Sequence, residues 1–210
     1  MKKVLNIFGD IVSTAIESTD VTPSMVNDSI SGLSKNDELE ININCYGGEV
    51  FAAVAMRSLI ASSPAKKTFN IFGVCASAAT MLFSETDEVN IYNGAMVMYH
   101  KPENQISGNA TDQRKNAEWL DQIENENILK NLSVRTGKPI EEMAEAIKTE
   151  WWMSSSEAVA QLGFNLVGQN AIFNKAQTKQ INVFNNYIER KKALSNNAFN
   201  RYINFKNSLK

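Results

Sequence analysis

The 210-residue chain has one histidine, two cysteines and four prolines. It has no apolar run near the roughly 18 residues that a membrane-spanning helix needs. A single histidine argues against a His-rich metal site, and any chemistry that requires an imidazole must use His100. No metal or cofactor motif is present. Two cysteines make no disulfide framework; Cys45 and Cys75 read as small buried space-fillers in a reducing compartment, with a bridge between them left open. The opening Met1-Lys2-Lys3-Val4-Leu5-Asn6-Ile7-Phe8-Gly9-Asp10 lacks the long apolar region of a signal peptide, so it reads as a first strand of the mature protein. The chain is 43% apolar and 21% charged, with a net charge of −2. It therefore has enough apolar material for one sizeable core, and no membrane or specific nucleic-acid partner is expected.

What charge there is falls unevenly. Residues 175–210 hold eight Lys and Arg against the single acid Glu189, a balance of +7 that leaves −9 for the rest. The same stretch collects eight asparagines and two apolar stripes at helical spacing, Ile181/Phe184/Ile188 and Ala198/Tyr202/Phe205/Leu209. We expect a body over residues 1–170 and a basic, Asn-rich, helical tail over 171–210.

Along the body, strand and helix patterns alternate. Strands are expected at Leu5–Phe8, Glu38–Asn44, Thr68–Val74, Glu88–Tyr92, Ala95–Tyr99 and Phe164–Gly168. Helices are expected at Pro23–Leu33, with Thr22 as N-cap, at Val50–Ala61 and at 78–84. Further helices are expected at Thr111–Thr136, Ile140–Lys148 and Ser154–Leu162. This order argues an α/β fold with a largely parallel sheet.

Residues with chemical potential gather where strands end, the usual place for sites in such folds. Asn44-Cys45-Tyr46-Gly47-Gly48 exposes backbone N–H groups suited to an anion, or is a tight turn. Ser77, between Ala76 and Ala78, is open to attack chemistry, or caps a helix. His100 ends an apolar strand, where it can serve as a base or a structural imidazole. Glu150, just before Trp151-Trp152-Met153, can orient that imidazole or lie in solvent at a helix end.

Taken together, these segments resemble the Clp protease proteolytic subunit family, and most closely its phage-encoded head maturation (prohead) branch. Ile43-Asn44-Cys45-Tyr46-Gly47-Gly48-Glu49-Val50 stands where that branch has Ile-Asn-Ser-Pro-Gly-Gly-x-Val. Gly73 to Ala79 is similar to the nucleophile pattern, with Ser77 at the serine, and Tyr99-His100-Lys101-Pro102 to the histidine element. Glu150-Trp151-Trp152-Met153-Ser154-Ser155-Ser156-Glu157-Ala158, followed by Gly163, resembles the element that closes the phage-type core. The resemblance covers residues 4–168. It implies a ClpP/crotonase-like superhelix of repeated ββα units, with a protruding helix–strand handle. It also implies a serine endopeptidase with Ser77, His100 and Glu150 as catalytic residues and an oxyanion hole from Gly48, Ala78 and Gly47.

The implied partners are polypeptides, among them phage scaffold or capsid proteins, and further copies of the chain in single or stacked rings. The implied place of action is the cytoplasm of a bacterial or infected cell, or the prohead. The chain starts close to its first strand, so long N-terminal gating loops are expected to be absent and a Clp-type ATPase partner stays open. Two other functions stand beside this one. One is a crotonase-fold acyl-CoA-binding enzyme, which would not need the Ser/His pair; the other is a non-catalytic ring-forming assembly protein.

Overall fold

The computed structural model describes residues 1–168 apart from Gln105. The helical tail expected over 171–210 lies outside the described residues. Five strands form a parallel sheet in the order β1-β2-β3-β4-β7: β1 (Lys2–Ile7), β2 (Glu38–Cys45), β3 (Lys66–Ala76), β4 (Val89–Tyr92) and β7 (Asn165–Val167). The long strand β3 changes partner along its length. Phe69–Ile71 pairs with β4, whereas Val74–Ala76 pairs in parallel with β5 (Met96–Tyr99). Strand β6 (Trp151–Ser154) then adds antiparallel to β5. This partner switch carries the end of β3 to the end of β5, and so determines where the site forms.

The alternation expected for β2 is present: Leu39, Ile41, Ile43 and Cys45 are buried in one core with Leu5, Ile7, Phe69, Ile71 and Cys75. Helices α1 (Pro23–Ile30) and α2 (Val50–Ser62) supply Val26, Ala52, Ala53, Met56 and Ile60 to the same core. Alternate strand positions hold a row of amides at matching register. Asn42, Asn70, Asn90 and Asn165 each donate Nδ2 to the Oδ1 of the asparagine on the preceding strand, Asn165 at 3.4 Å and the others at 2.9–3.1 Å. A parallel sheet thus carries polar side chains on that face with their hydrogen bonds made laterally.

Local chemistry sets the helix ends. Thr22 Oγ1 accepts the Met25 N–H, with Pro23 in the first turn of α1. Asn109 and Asp112 form a capping box on α3 (Ala110–Ile123), and Ser154 and Glu157 form one on α6 (Ser155–Leu162). Gly137 and Gly163 take left-handed conformations after α4 (Lys130–Thr136) and α6. Helix α5 (Ile140–Ala146) begins after Pro139.

Four elements differ from the sequence expectation. Strand β3 runs on to Ala76, because pairing with β2 and β5 outweighs the weak strand preference of small residues. The apolar stretch 78–84 makes only a 3₁₀ turn, Ser77–Met81. The helix expected over 111–136 is interrupted by a π-helical turn, Glu124–Leu129. Before it, α3 is almost wholly exposed; within and after it, Ile128, Leu129 and Leu132 enter the core. Strand β6 was not expected at all.

Candidate active site

Three chain segments converge where β2, β3 and β5 end. Ser77 follows β3 directly and adopts φ +54°, making it the one non-glycine residue with positive φ among the described residues. Such a conformation costs a residue with a Cβ about 1–2 kcal/mol. Backbone strain of this kind concentrates at functional sites. Ala76, Ala78 and Ala79 around it are buried, and Thr80 Oγ1 donates to the Ser77 carbonyl at 2.7 Å. His100 comes one residue after β5. Ala76 is in register with Met98; Ser77 follows that pair by one residue and His100 by two, and Ser77 Oγ lies 2.6 Å from His100 Nε2. Both are half-buried. The hydroxyl can donate to Nε2 when the imidazole carries its proton on Nδ1.

The glycine pair is explained by what lies on each side of it. Gly47 and Gly48 have φ values of +110° and +144°. A Cβ on Gly47 would lie 2.8 Å from Ser77 Cβ and 2.9 Å from the Ala76 carbonyl oxygen. A Cβ on Gly48 would lie 2.1 Å from the Ile11 carbonyl oxygen. The loop therefore passes between the Ser77 turn and a strand-like segment at Ile11. That segment holds it by Ile11 N–H to the Gly47 carbonyl (2.9 Å) and Glu49 N–H to the Ile11 carbonyl (2.8 Å). Gly47, expected as an anion donor, is buried and gives its N–H to Cys45 Sγ at 3.3 Å. The N–H groups of Gly48 and Ala78 make no hydrogen bond among the described residues, and Gly48 is exposed.

Glu150 stands immediately before β6. The β5–β6 register ends at Tyr99–Trp151, so Glu150 and His100 occupy the next position on their respective strands. The exposed Glu150 carboxylate accepts a hydrogen bond from the Trp152 indole, Nε1 to Oε2 at 2.9 Å. Ser77 and His100 are thus joined directly. Glu150 is brought to their end of the sheet, with its carboxylate on Trp152 rather than on the imidazole.

Cys45 and Cys75 are both buried, in register on adjacent strands, and no disulfide joins them. Burial, with Cys45 adjacent, pushes the Cys75 thiol well above its ordinary range, as for an inert core residue. Trp152 and Tyr46 pack on Val74, Ala76 and Met98, a small apolar cluster beside the site. The residue after His100, Lys101, pairs its Nζ with Glu124 Oε1 at 2.9 Å and gives its N–H to the Ile147 carbonyl. The roles of Ile11, Cys45, Trp152 and Lys101 escaped sequence reasoning. Each depends on pairing between distant segments, and only the adjacency of Trp152 to Glu150 left a signal.

Among the described residues no helix is long and apolar enough to cross a membrane.

Comparison with known proteins places this arrangement. A Clp protease family model matches residues 11–165. Over 137 residues the chain is 26% identical to the ATP-dependent Clp protease proteolytic subunit 2 of Thermobifida fusca (strain YX), covering 64% of this chain and 66% of that protein. Over 124 residues it is 27% identical to the ATP-dependent Clp protease proteolytic subunit 3 of Rhodococcus jostii (strain RHA1), covering 58% and 60%. The chain thus spans just under two thirds of one of these curated relatives and less of the other. A solved structure of a ClpP1 mutant from Listeria monocytogenes has the same fold, with a TM-score of 0.65 at 19% identity over 80% of this chain and 92% of that one. The family match takes in the glycine pair, Ser77, His100 and Glu150 within one continuous stretch, and the chain belongs to the Clp protease family.

Proposed function

We propose that the protein is a serine endopeptidase. The observation that carries this reading is the 2.6 Å contact between Ser77 Oγ and His100 Nε2, made by a serine held at φ +54°. In this reading Ser77 Oγ attacks the scissile carbonyl carbon as its proton passes to Nε2. The carbonyl oxygen becomes an oxyanion that accepts hydrogen bonds from the Gly48 and Ala78 N–H groups. The tetrahedral intermediate collapses, the C–N bond breaks, and Nε2–H returns the proton to the leaving amine. Water then cleaves the acyl-enzyme by the same route, leaving a free carboxylate and restoring Ser77. Glu150 orients the imidazole and offsets its positive charge during both steps. Gly47 contributes sterically, by allowing the loop to lie against Ser77.

The finer reading is a phage head maturation protease that cleaves scaffold or capsid proteins and works as a homo-oligomeric ring. It is supported by the phage-type element from Glu150 to Gly163 and by the +7 charge of residues 175–210, suited to recruitment by acidic assembly proteins. Hydrolysis of a fluorogenic peptide tests the peptidase, with Ser77→Ala expected to lower kcat on the order of 10⁴-fold or more. Full activity in Ser77→Ala overturns the reading. Cleavage of a scaffold protein co-expressed with the chain, lost in Ser77→Ala, tests the finer one.

A further inference from the structure

We infer that Trp152 is a positioning residue for the reaction: its indole N–H fixes the Glu150 carboxylate beside His100. The inference rests on the serine-peptidase reading above. Glu150 is exposed and precedes β6, so nothing in its own backbone element limits where its carboxylate goes. A glutamate with that freedom loses side-chain entropy whenever it orients an imidazole. The Trp152 indole removes part of that loss. Its Nε1–H can only donate, and it donates to Oε2 at 2.9 Å, a bond strengthened by the carboxylate charge. With Oε2 held, Oε1 remains to accept from the imidazole Nδ1–H across the ends of β5 and β6.

The anchor is itself anchored to the two strands that present the dyad. Trp152 packs against the cluster of Val74, Ala76 and Met98, whose strands lead into Ser77 and His100. Met98 and Trp152 are register partners. One side chain thus packs on the apolar cluster that links the two strand ends and bonds the carboxylate.

The test is a double-mutant cycle on the full chain, with peptide hydrolysis as the readout. Trp152→Phe keeps an aromatic ring on the Val74/Ala76/Met98 cluster and removes the N–H. We expect it to lower kcat about tenfold, the size of one lost charge-assisted hydrogen bond, with KM changed less than twofold. In a Glu150→Gln background, Trp152→Phe should produce little further loss, because its effect passes through the carboxylate. An unchanged or raised kcat in Trp152→Phe overturns the inference, as does an equal fall in the Glu150→Gln background. A second measurement does not depend on activity. Glu150→Gln should move one of the three indole N–H resonances in an NMR spectrum, and that resonance should be missing in Trp152→Phe. No moved indole resonance also overturns the inference. A wild type without Ser77-dependent hydrolysis sinks the peptidase reading instead, while the indole spectrum still reports whether the bond exists.

Discussion

At the scale of single residues, the site is governed by close approach. Gly47 lies against Ser77, so that a Cβ at position 47 would enter the space of Ser77 Cβ and the Ala76 carbonyl. Gly47→Ala should push the loop, and the Gly48 N–H with it, away from the hydroxyl. We expect kcat/KM to fall by about 10²-fold, as for a lost oxyanion donor, while circular dichroism shows a folded protein. Ser77 also holds a left-handed backbone that glycine adopts at little cost. Ser77→Gly and Ser77→Ala both remove the hydroxyl, but only the first relieves the strain. Denaturant unfolding should therefore find Ser77→Gly about 1 kcal/mol more stable than Ser77→Ala. Equal stabilities would mean that position 77 is not strained.

At the scale of elements, α6 starts on a capping box that is sensitive to pH. Hydrogen bonds from the Ser154 hydroxyl and N–H hold the Glu157 carboxyl below its ordinary range. A carboxyl lowered in this way stabilises the folded state above its unfolded pKa, and that contribution is lost as pH falls through the folded value. Thermal unfolding followed from neutral to acid pH should show this loss in the wild type and a smaller one in Glu157→Gln. Ser154→Ala should cost about 1 kcal/mol at neutral pH. The cap matters to the site because Ser154 closes β6, the strand that carries Trp152. Elements bounded by local signals were legible in the sequence: Thr22-Pro23 for α1, alternation for β2, and Gly137 and Gly163 as helix stops. Elements made by long-range pairing were not. Strand β6 is four residues, Trp-Trp-Met-Ser, with no alternation, and exists because β5 offers it an antiparallel partner. The π turn at Glu124–Leu129 leaves no mark in the helical pattern; its buried Glu124 reflects the pairing with Lys101. For the same reason Ser77 and His100 could be singled out as strand-end residues, whereas the hold of Trp152 on Glu150 and of Ile11 on the glycine loop became visible only in three dimensions.

At the scale of the whole molecule, charge separates the chain into an acidic body and a basic C-terminal stretch. Every segment of the proposed machinery lies in residues 11–152, so removal of 175–210 should leave peptide hydrolysis intact and reduce processing of assembly proteins. Unchanged processing in an assembly assay would show that the basic stretch does not recruit substrate. The ring proposed for the working enzyme predicts a sedimentation coefficient well above that of a 23.4 kDa monomer. The central claim, that Ser77 is a nucleophile activated by His100, is tested most directly by a fluorophosphonate probe followed by intact-mass and peptide-map analysis. The account predicts one adduct per chain, located on Ser77, absent in Ser77→Ala and formed far more slowly in His100→Ala. An adduct on another residue, or none on the assembled oligomer, would contradict it.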